Sequence, residues 1–267
     1  MARALKLYWS HSKPNFGDWL SPAICRALCH TEVRYASIRR CDLVGLGSLF
    51  ERLPAGWFSR ALHVWGTGSI DVQPVRDMKH SLHAVRGPRT AGLAKTPEKE
   101  TSADTAPVFG DPGLLSELLL PTGRHIQPRQ ALGLIPHYKD AKQGPIAELA
   151  AHFPQAKLID VFDAPEAVIE QIASCHHILS SSLHGLIVAD ALGVPSRWLQ
   201  LSTAVRGGGW KFHDYYESFD APRPTTMTLP LTVAELVTQN LDDIFADWVP
   251  PQLAAQKERL AAAFPQF

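Results

Sequence analysis

Residues Cys175 to Leu199 read CHHILSSSLHGLIVADALGVPSRWL: a short apolar strand over His177–Leu179, three serines, a helix over Leu183–Leu192, then a second strand. Ser180, Ser181 and Ser182 offer hydroxyls and uncommitted backbone N–H groups where the helix begins. The helix dipole favours a phosphate or carboxylate there, and His184, at most one turn in, adds a positive charge or a proton. Gly185 permits a close approach. Serines also cap helices in proteins of every function, so on these residues alone an anion site and a plain cap stand level.

On the N-terminal side of this stretch, strand and helix alternate: strand Ala131 to Ile135, helix Pro145 to His152, strand Lys157 to Val161, helix Pro165 to Cys175. Such alternation predicts a parallel sheet whose functional loops leave the carboxyl edge. Pro136-His137-Tyr138-Lys139 occupies one such edge, placing His137 toward the cleft of His184. On the other side, Leu201 to Asp220 reads as a loop, with Gly207 to Gly209 before Trp210-Lys211-Phe212-His213-Asp214-Tyr215-Tyr216. Aromatic faces suit sugar rings and Lys211 suits an anion, with ordinary aromatic packing the equal alternative. Thr232 to Glu235 is a capping box, and Val237, Leu241, Ile244 and Trp248 give one helix its apolar stripe. A last helix after Pro250-Pro251 carries Leu253, Leu260 and Phe264 and docks on the body.

The N-terminal half repeats the α/β theme. Leu5 to Trp9 is a strand, His11 to Asp18 a polar loop, and Ser21-Pro22 a helix start. Asn15-Phe16-Gly17-Asp18 therefore lies between a strand's carboxyl end and a helix, where open α/β sheets bind ligands, with Asp18 a base or a helix-terminus acid. Asp42 to Leu46, Leu62 to Trp65 and Leu82 to Val85 are further strands running into glycine. Their G-L-G-S and G-T-G-S pairs lack the third glycine of a dinucleotide fingerprint and read as turns. Arg86-Gly87-Pro88-Arg89-Thr90 sets two guanidiniums at a helix start, either a second anion site or a surface ion pair. Val108 to Gly113 closes a strand in a tight turn in which Asp111 serves turn geometry. The polar stretch Thr96 to Ala106 reads as an exposed loop, and Pro121 to Pro128 as the best linker.

A chain of 267 residues with 45% hydrophobic content supports a full core, and 26 basic against 26 acidic residues leave no bulk field for nucleic acid. Any anion site must be local. The four cysteines form no C-x-x-C pair, so no disulfide framework or zinc ribbon is expected, and the twelve histidines do not converge on a metal. No P-loop, H-E-x-x-H, EF-hand or G-x-S-x-G motif is present. No window reaches the length of a membrane span, which predicts a cytoplasmic enzyme.

Taken in order, NFGD (Asn15 to Asp18), VWGTGSI (Val64 to Ile70), AVRGPRT (Ala84 to Thr90), FGDPGLL (Phe109 to Leu115), LIPHYKD (Leu134 to Asp140), SSSLHGLIVADALGVP (Ser180 to Pro195) and KFHDYY (Lys211 to Tyr216) resemble the polysaccharide pyruvyl transferase family, notably its short bacterial ketal pyruvyltransferases. The resemblance implies two Rossmann-like domains in a GT-B-like arrangement with the active site in the interdomain cleft. These would be residues 1–125 on the acceptor side and 126–249 on the donor-phosphate side, with 250–267 the docking helix. It implies phosphoenolpyruvate as co-substrate, no cofactor, and a sugar acceptor, free or lipid-linked at the inner face of the plasma membrane. By position, Arg86 and His184 are the family's donor-binding residues, with Ser182 and Leu183 beside the histidine.

Phosphoenolpyruvate carries a carboxylate and a phosphate, matching two anion sites in different halves of the chain. The expected roles are His184 as acid and phosphate partner, Arg86 as clamp and Asp18 as base. Arg89, Ser181, Ser182, Leu183 and Lys211 complete the donor site, and Asn15, His137, His213 and Tyr215 face the acceptor. The alternatives are a GT-B glycosyltransferase using a nucleotide sugar and a non-catalytic anionic-glycan binding module.

Overall fold

A computed structural model describes residues 3–12, 15–55, 59–95, 106–121, 126–142 and 144–267. The first half runs β1 (Leu5–Tyr8), α1 (Phe16–Cys29), β2 (Val33–Tyr35), β3 (Leu43–Val44), β4 (His63–Thr67), β5 (Arg76–Asp77), β6 (Ser81–Val85), α2 (Pro88–Ala91), β7 (Ala94–Lys95) and β8 (Val108–Phe109), then a 3-10 helix over Pro112–Leu119. The second runs β9 (Gln130–Ile135), α3 (Gly144–His152), β10 (Lys157–Leu158), α4 (Pro165–Ala173), β11 (Cys175–Ser180), α5 (Leu183–Ala191), β12 (Ser196–Gln200), α6 (Trp210–Tyr216), α7 (Thr225–Thr228), β13 (Leu231–Thr232), α8 (Val233–Leu236), α9 (Leu241–Phe245) and α10 (Ala254–Ala262).

Two parallel sheets result, ordered β2-β1-β3-β4-β6-β8 and β10-β9-β11-β12-β13, the mixed α/β architecture expected from the alternation. In each, the order reverses beside the opening strand. The reversal falls between β1 and β3 in the first sheet and between β9 and β11 in the second. A crevice forms at such a point because neighbouring crossovers leave in opposite directions. The loops at these two crevices carry Asn15 to Asp18 and Gly45 to Gly47 on one side, and His137 to Asp140 and Ser181 to His184 on the other.

The two halves share one core. A single cluster of buried apolar side chains runs from Leu7, Phe16 and Leu20 through Leu114 to Ile159, Val168, Ile187 and Phe212. The Phe16 N–H donates to the Val161 carbonyl at 2.7 Å, tying the start of α1 to the second half. Helix α10 crosses back: Trp65 Nε1 donates to the Leu260 carbonyl at 3.0 Å, and Gln256 Nε2 to the carbonyls of Phe109 and Ser218. Of the linker read at 121–128, residues 122–125 lie outside the described residues, as does nearly all of the loop read at 96–106.

Several boundaries differ from the sequence reading, each for a local reason. Helix α1 begins at Phe16 because the Asn15 side chain accepts from the Asp18 N–H, so Pro22 sits inside the helix instead of opening it. Trp210–Tyr216 is a helix, with Phe212, Tyr215 and Tyr216 buried, so the aromatic cluster is packing. Phe212 stacks on Trp198 with centroids 4.1 Å apart. The single helix read through Val237 and Trp248 is split in two, because the Asn240 side chain accepts from the Asp243 N–H and starts α9 anew. Leu260 is fully buried in the shared core. Leu260→Ala is expected to lower unfolding free energy by about 2–5 kcal/mol, read from urea denaturation midpoints, whereas an unshifted midpoint would show that α10 contributes no core.

Candidate active site

His184 sits one residue into α5, where β11 delivers it to the crevice. The serines before it are largely committed. Ser180 Oγ donates to the Ile135 and Ser182 carbonyls and receives the Ser182 N–H. Ser181 Oγ receives the His137 N–H and donates to Asp140, each at 2.8 Å, and Asp140 also accepts from Ser202. Ser182 is the N-cap residue but makes no side-chain cap. The close approach that Gly185 allows is internal, since a Cβ there would lie 2.4 Å from Ser180 Oγ.

The imidazole of His184 is held on two sides. A Cβ on Gly17 would lie 2.3 Å from Nδ1, so only glycine at the start of α1 lets the two halves close on this ring. Nε2 faces Asp111 Oδ2 at 3.9 Å. Burial pushes the His184 pKa down to about 3, helped by the positive charges of Lys211 and Arg86 and by His137. At neutral pH this histidine is therefore uncharged. His137 is likewise pushed down to about 3 by burial, Lys211 and Lys139, and its Nδ1 accepts the Lys139 N–H at 3.3 Å. The structure thus brings His137 and His184 into one electrostatic cluster.

Lys211 is the centre of that cluster. Helix α6 places it 9% exposed, and burial and Arg86 lower its pKa to about 8 against the pull of Asp18 and Asp140. It remains mostly protonated at neutral pH. Asp18, across the cleft, is raised to about 6 by burial, an effect moderated by hydrogen bonds from Asn15 and Ser10 and by the charges of Arg52 and Lys211. Its carboxylate is ionised above that value, and Asn15 Nδ2 holds one oxygen at 2.7 Å. The site accordingly contains a buried ammonium, a neutral histidine and a high-pKa carboxylate, which is what anion binding with proton transfer requires.

Arg86 is 1% exposed. Its Nε donates to Asp214 at 3.0 Å, Nη1 to Ser48 at 3.1 Å, and Nη2 to the Ser69 carbonyl. Asp214 is buried too and also receives the Thr90 N–H and hydroxyl. Gly68 and Gly87 explain the glycines at these strand exits: a Cβ at Gly68 would strike the guanidinium, and one at Gly87 the Asp214 carbonyl. Arg86 thus lends charge to His184 and Lys211, with three of its five N–H donors held by Asp214, Ser48 and Ser69.

Other expected residues lie elsewhere. Arg89 forms a two-pronged ion pair with Glu217 and lies over Trp210, the surface-pair alternative. Tyr215 is fully buried and its hydroxyl donates to Asp190 at 2.9 Å, which makes it a core residue instead of an acceptor contact. His213 lines a separate cavity of about 340 Å³ with Trp198, Arg206 and Ser202, whose floor reaches Asp140 and Ser181. Leu183 is buried. Asp111 was assigned to turn geometry; its Oδ1 does accept the Gly113 N–H, but its Oδ2 faces His184. No group of three or more His, Cys, Asp or Glu placed to hold a metal ion occurs among the described residues, and no described helix is long and apolar enough to cross a membrane.

The electrostatics make a direct prediction. In the ligand-free protein the His184 ring resonances should not titrate between about pH 5 and 8. In Lys211→Met, loss of the neighbouring positive charge should raise the His184 pKa. Ring NMR showing an ordinary midpoint in the unaltered protein would contradict the buried, cation-surrounded setting.

Residues 77–202 match the family described as polysaccharide pyruvyl transferase, a span that holds Arg86, Asp111, His137 and His184. The chain is 33% identical over 162 residues to the uncharacterized protein L143 of Acanthamoeba polyphaga mimivirus, covering 60% of this chain and 55% of that protein. It is 26% identical over 218 residues to the succinoglycan biosynthesis protein ExoV of Rhizobium meliloti (strain 1021), covering 79% of this chain and 63% of that one. The chain thus spans less than two thirds of the length of either relative. No solved structure matches it significantly. Over residues 77–202 the chain is thus similar to the polysaccharide pyruvyl transferase family.

Proposed function

We propose that this protein is a transferase that moves the pyruvyl group of phosphoenolpyruvate onto two hydroxyls of a sugar, forming a ketal and releasing phosphate. The acceptor is part of a bacterial polysaccharide or its lipid-linked precursor, reached from the cytoplasmic side. The two sheets then act as the two halves of a GT-B-like arrangement, with donor and acceptor meeting between them.

The observation that carries this reading is the convergence on His184 of Lys211 from α6, Gly17 from α1 and the buried charge of Arg86. A donor with two anionic groups suits such a site because its charge offsets the cations that hold the histidine neutral. Donor binding therefore raises the His184 pKa and loads it with a proton, because the donor's negative charge opposes the cations that, after burial, lower that pKa. Lys211 is the phosphate partner with a full charge, and its charge bears on His184 at the start of α5.

The chemistry follows in balanced steps. Asp18 takes the proton of one acceptor hydroxyl, whose oxygen bonds to C2 of the donor while C3 receives a proton from the His184 imidazolium. The resulting C2 carries the sugar oxygen, methyl, carboxylate and phosphate. The C2–O bond to phosphate then breaks, the leaving phosphate being stabilised by Lys211 and taking up the proton held by Asp18, and the second hydroxyl closes on C2 and loses its proton to neutral His184. Electrostatic stabilisation of the departing phosphate by a buried ammonium is worth more than in water because burial lowers the local dielectric around Lys211. His137 and Asn15 border this volume, and the cavity of about 340 Å³ at His213 offers room for further acceptor residues.

Incubation with phosphoenolpyruvate and candidate glycans should give a pyruvyl mass gain with acceptor-dependent phosphate release. His184→Ala should cut kcat/KM by about 100-fold or more. Phosphate release that ignores the acceptor, or glycosyl transfer from a nucleotide sugar in its place, would contradict the reading.

A further inference from the structure

Asp111 and His184 present two buried polar atoms to each other, Oδ2 and Nε2, 3.9 Å apart, and neither has a hydrogen-bond partner among the described residues. Asp111 is 1% exposed. Its other oxygen is fixed, because Oδ1 accepts the Gly113 N–H at 2.8 Å and so anchors the carboxylate at the start of the 3-10 helix. The remaining oxygen can only point at the imidazole. His184 keeps 15% of its side chain accessible while Nε2 is sealed, and Nδ1 lies on the Gly17 side, facing the start of α1. Arg86, Lys211 and His137 bear on His184 from β6, α6 and the end of β9, while Arg86 and Asp214 bear on Asp111.

We propose that Asp111 is a positioning residue that holds the imidazole of His184 in its Nε2–H form, so that Nδ1 is the nitrogen that takes and gives the proton in the cleft. A separation of 3.9 Å is an electrostatic contact, which a shift of about 1 Å converts into a hydrogen bond, as active-site pairs do when a ligand closes them. Which ring nitrogen carries the proton is set by what the other one faces, and an ionised carboxylate only accepts. Burial raises the Asp111 pKa to about 6, so it is mostly ionised at neutral pH and also stabilises the imidazolium formed on donor binding. The role of Nδ1 in turnover rests on the pyruvyl-transfer reading. The tautomer itself does not.

Asp111→Asn makes a sharp test. The Gly113 N–H continues to claim the amide oxygen, so the NH2 group takes the place of Oδ2 and points a donor at Nε2. His184 must then accept at Nε2 and carry its proton on Nδ1, the wrong nitrogen for proton transfer in the cleft. Asparagine also serves as a helix-start residue, so the 3-10 helix keeps its cap.

Two-bond proton–nitrogen correlation spectra of the ligand-free protein with labelled histidine should show His184 as Nε2–H at neutral pH and as Nδ1–H in Asp111→Asn. With phosphoenolpyruvate and an acceptor, the variant should lose about 100-fold or more in kcat, with KM for the donor changing less than about threefold. A proton on Nδ1 in the unaltered protein overturns the proposal, as does an unchanged tautomer in the variant. If the unaltered protein releases no phosphate with any acceptor, the pyruvyl-transfer reading fails while the tautomer result still decides the role of Asp111.

Discussion

The ion pair between Arg86 and Asp214 is the interaction on which the rest of the site depends. Both groups are essentially removed from water, and they join the end of β6 to α6 across 128 positions of the sequence. Breaking such a pair by deleting one partner leaves an uncompensated buried charge and typically costs about 3–5 kcal/mol. Here the consequence is also geometric. Asp214 and Lys211 lie three residues apart on one helix, so the pin that holds Asp214 also fixes where the Lys211 ammonium stands. Gly68 and Gly87 exist at these strand exits because side chains there would collide with the two members of the pair.

From that pin follows an electrostatic design with two buried cations and a histidine they keep neutral. Burying charges without a ligand is unfavourable, and in this site the deficit is spread over several groups: Lys211 is lowered, while Asp18 and Asp111 are raised. An anion relieves the buried cations, while it further disfavours the ionised forms of Asp18 and Asp111. The shared core running from Leu7 to Phe212 means that the two sheets approach each other as one packed body, with Gly17 pressed against His184. The cleft is therefore formed by close contact at His184, and the separate cavity at His213 shares Ser181 and Asp140 with its second-half edge.

The stretch from Cys175 to Leu199 was legible because its apolar strand, serine turn and apolar helix each have a local cause, and the structure places β11, α5 and β12 there. The alternation around it likewise read correctly as parallel sheets. What was hidden depended on contacts distant in sequence. Asp111 looked like a turn residue because half of it is one, and only the fold brings its second oxygen to a histidine 73 positions later. Helix α6 was masked by its glycine run, and its aromatics pack on Trp198 for reasons no window could show. Asn15 concealed a helix start because Ser21-Pro22 offered a stronger local one. Arg86 was recognised as special, yet its partner Asp214 lies 128 positions away.

The central claim is that this site waits in a proton-poor state which a doubly anionic donor converts to a proton-loaded one. Titration calorimetry of phosphoenolpyruvate binding at neutral pH, in buffers of differing ionisation enthalpy, measures the protons exchanged. The account predicts net proton uptake on binding to the unaltered protein and its loss in His184→Ala. Binding with no proton uptake, or uptake undiminished in that variant, would contradict it.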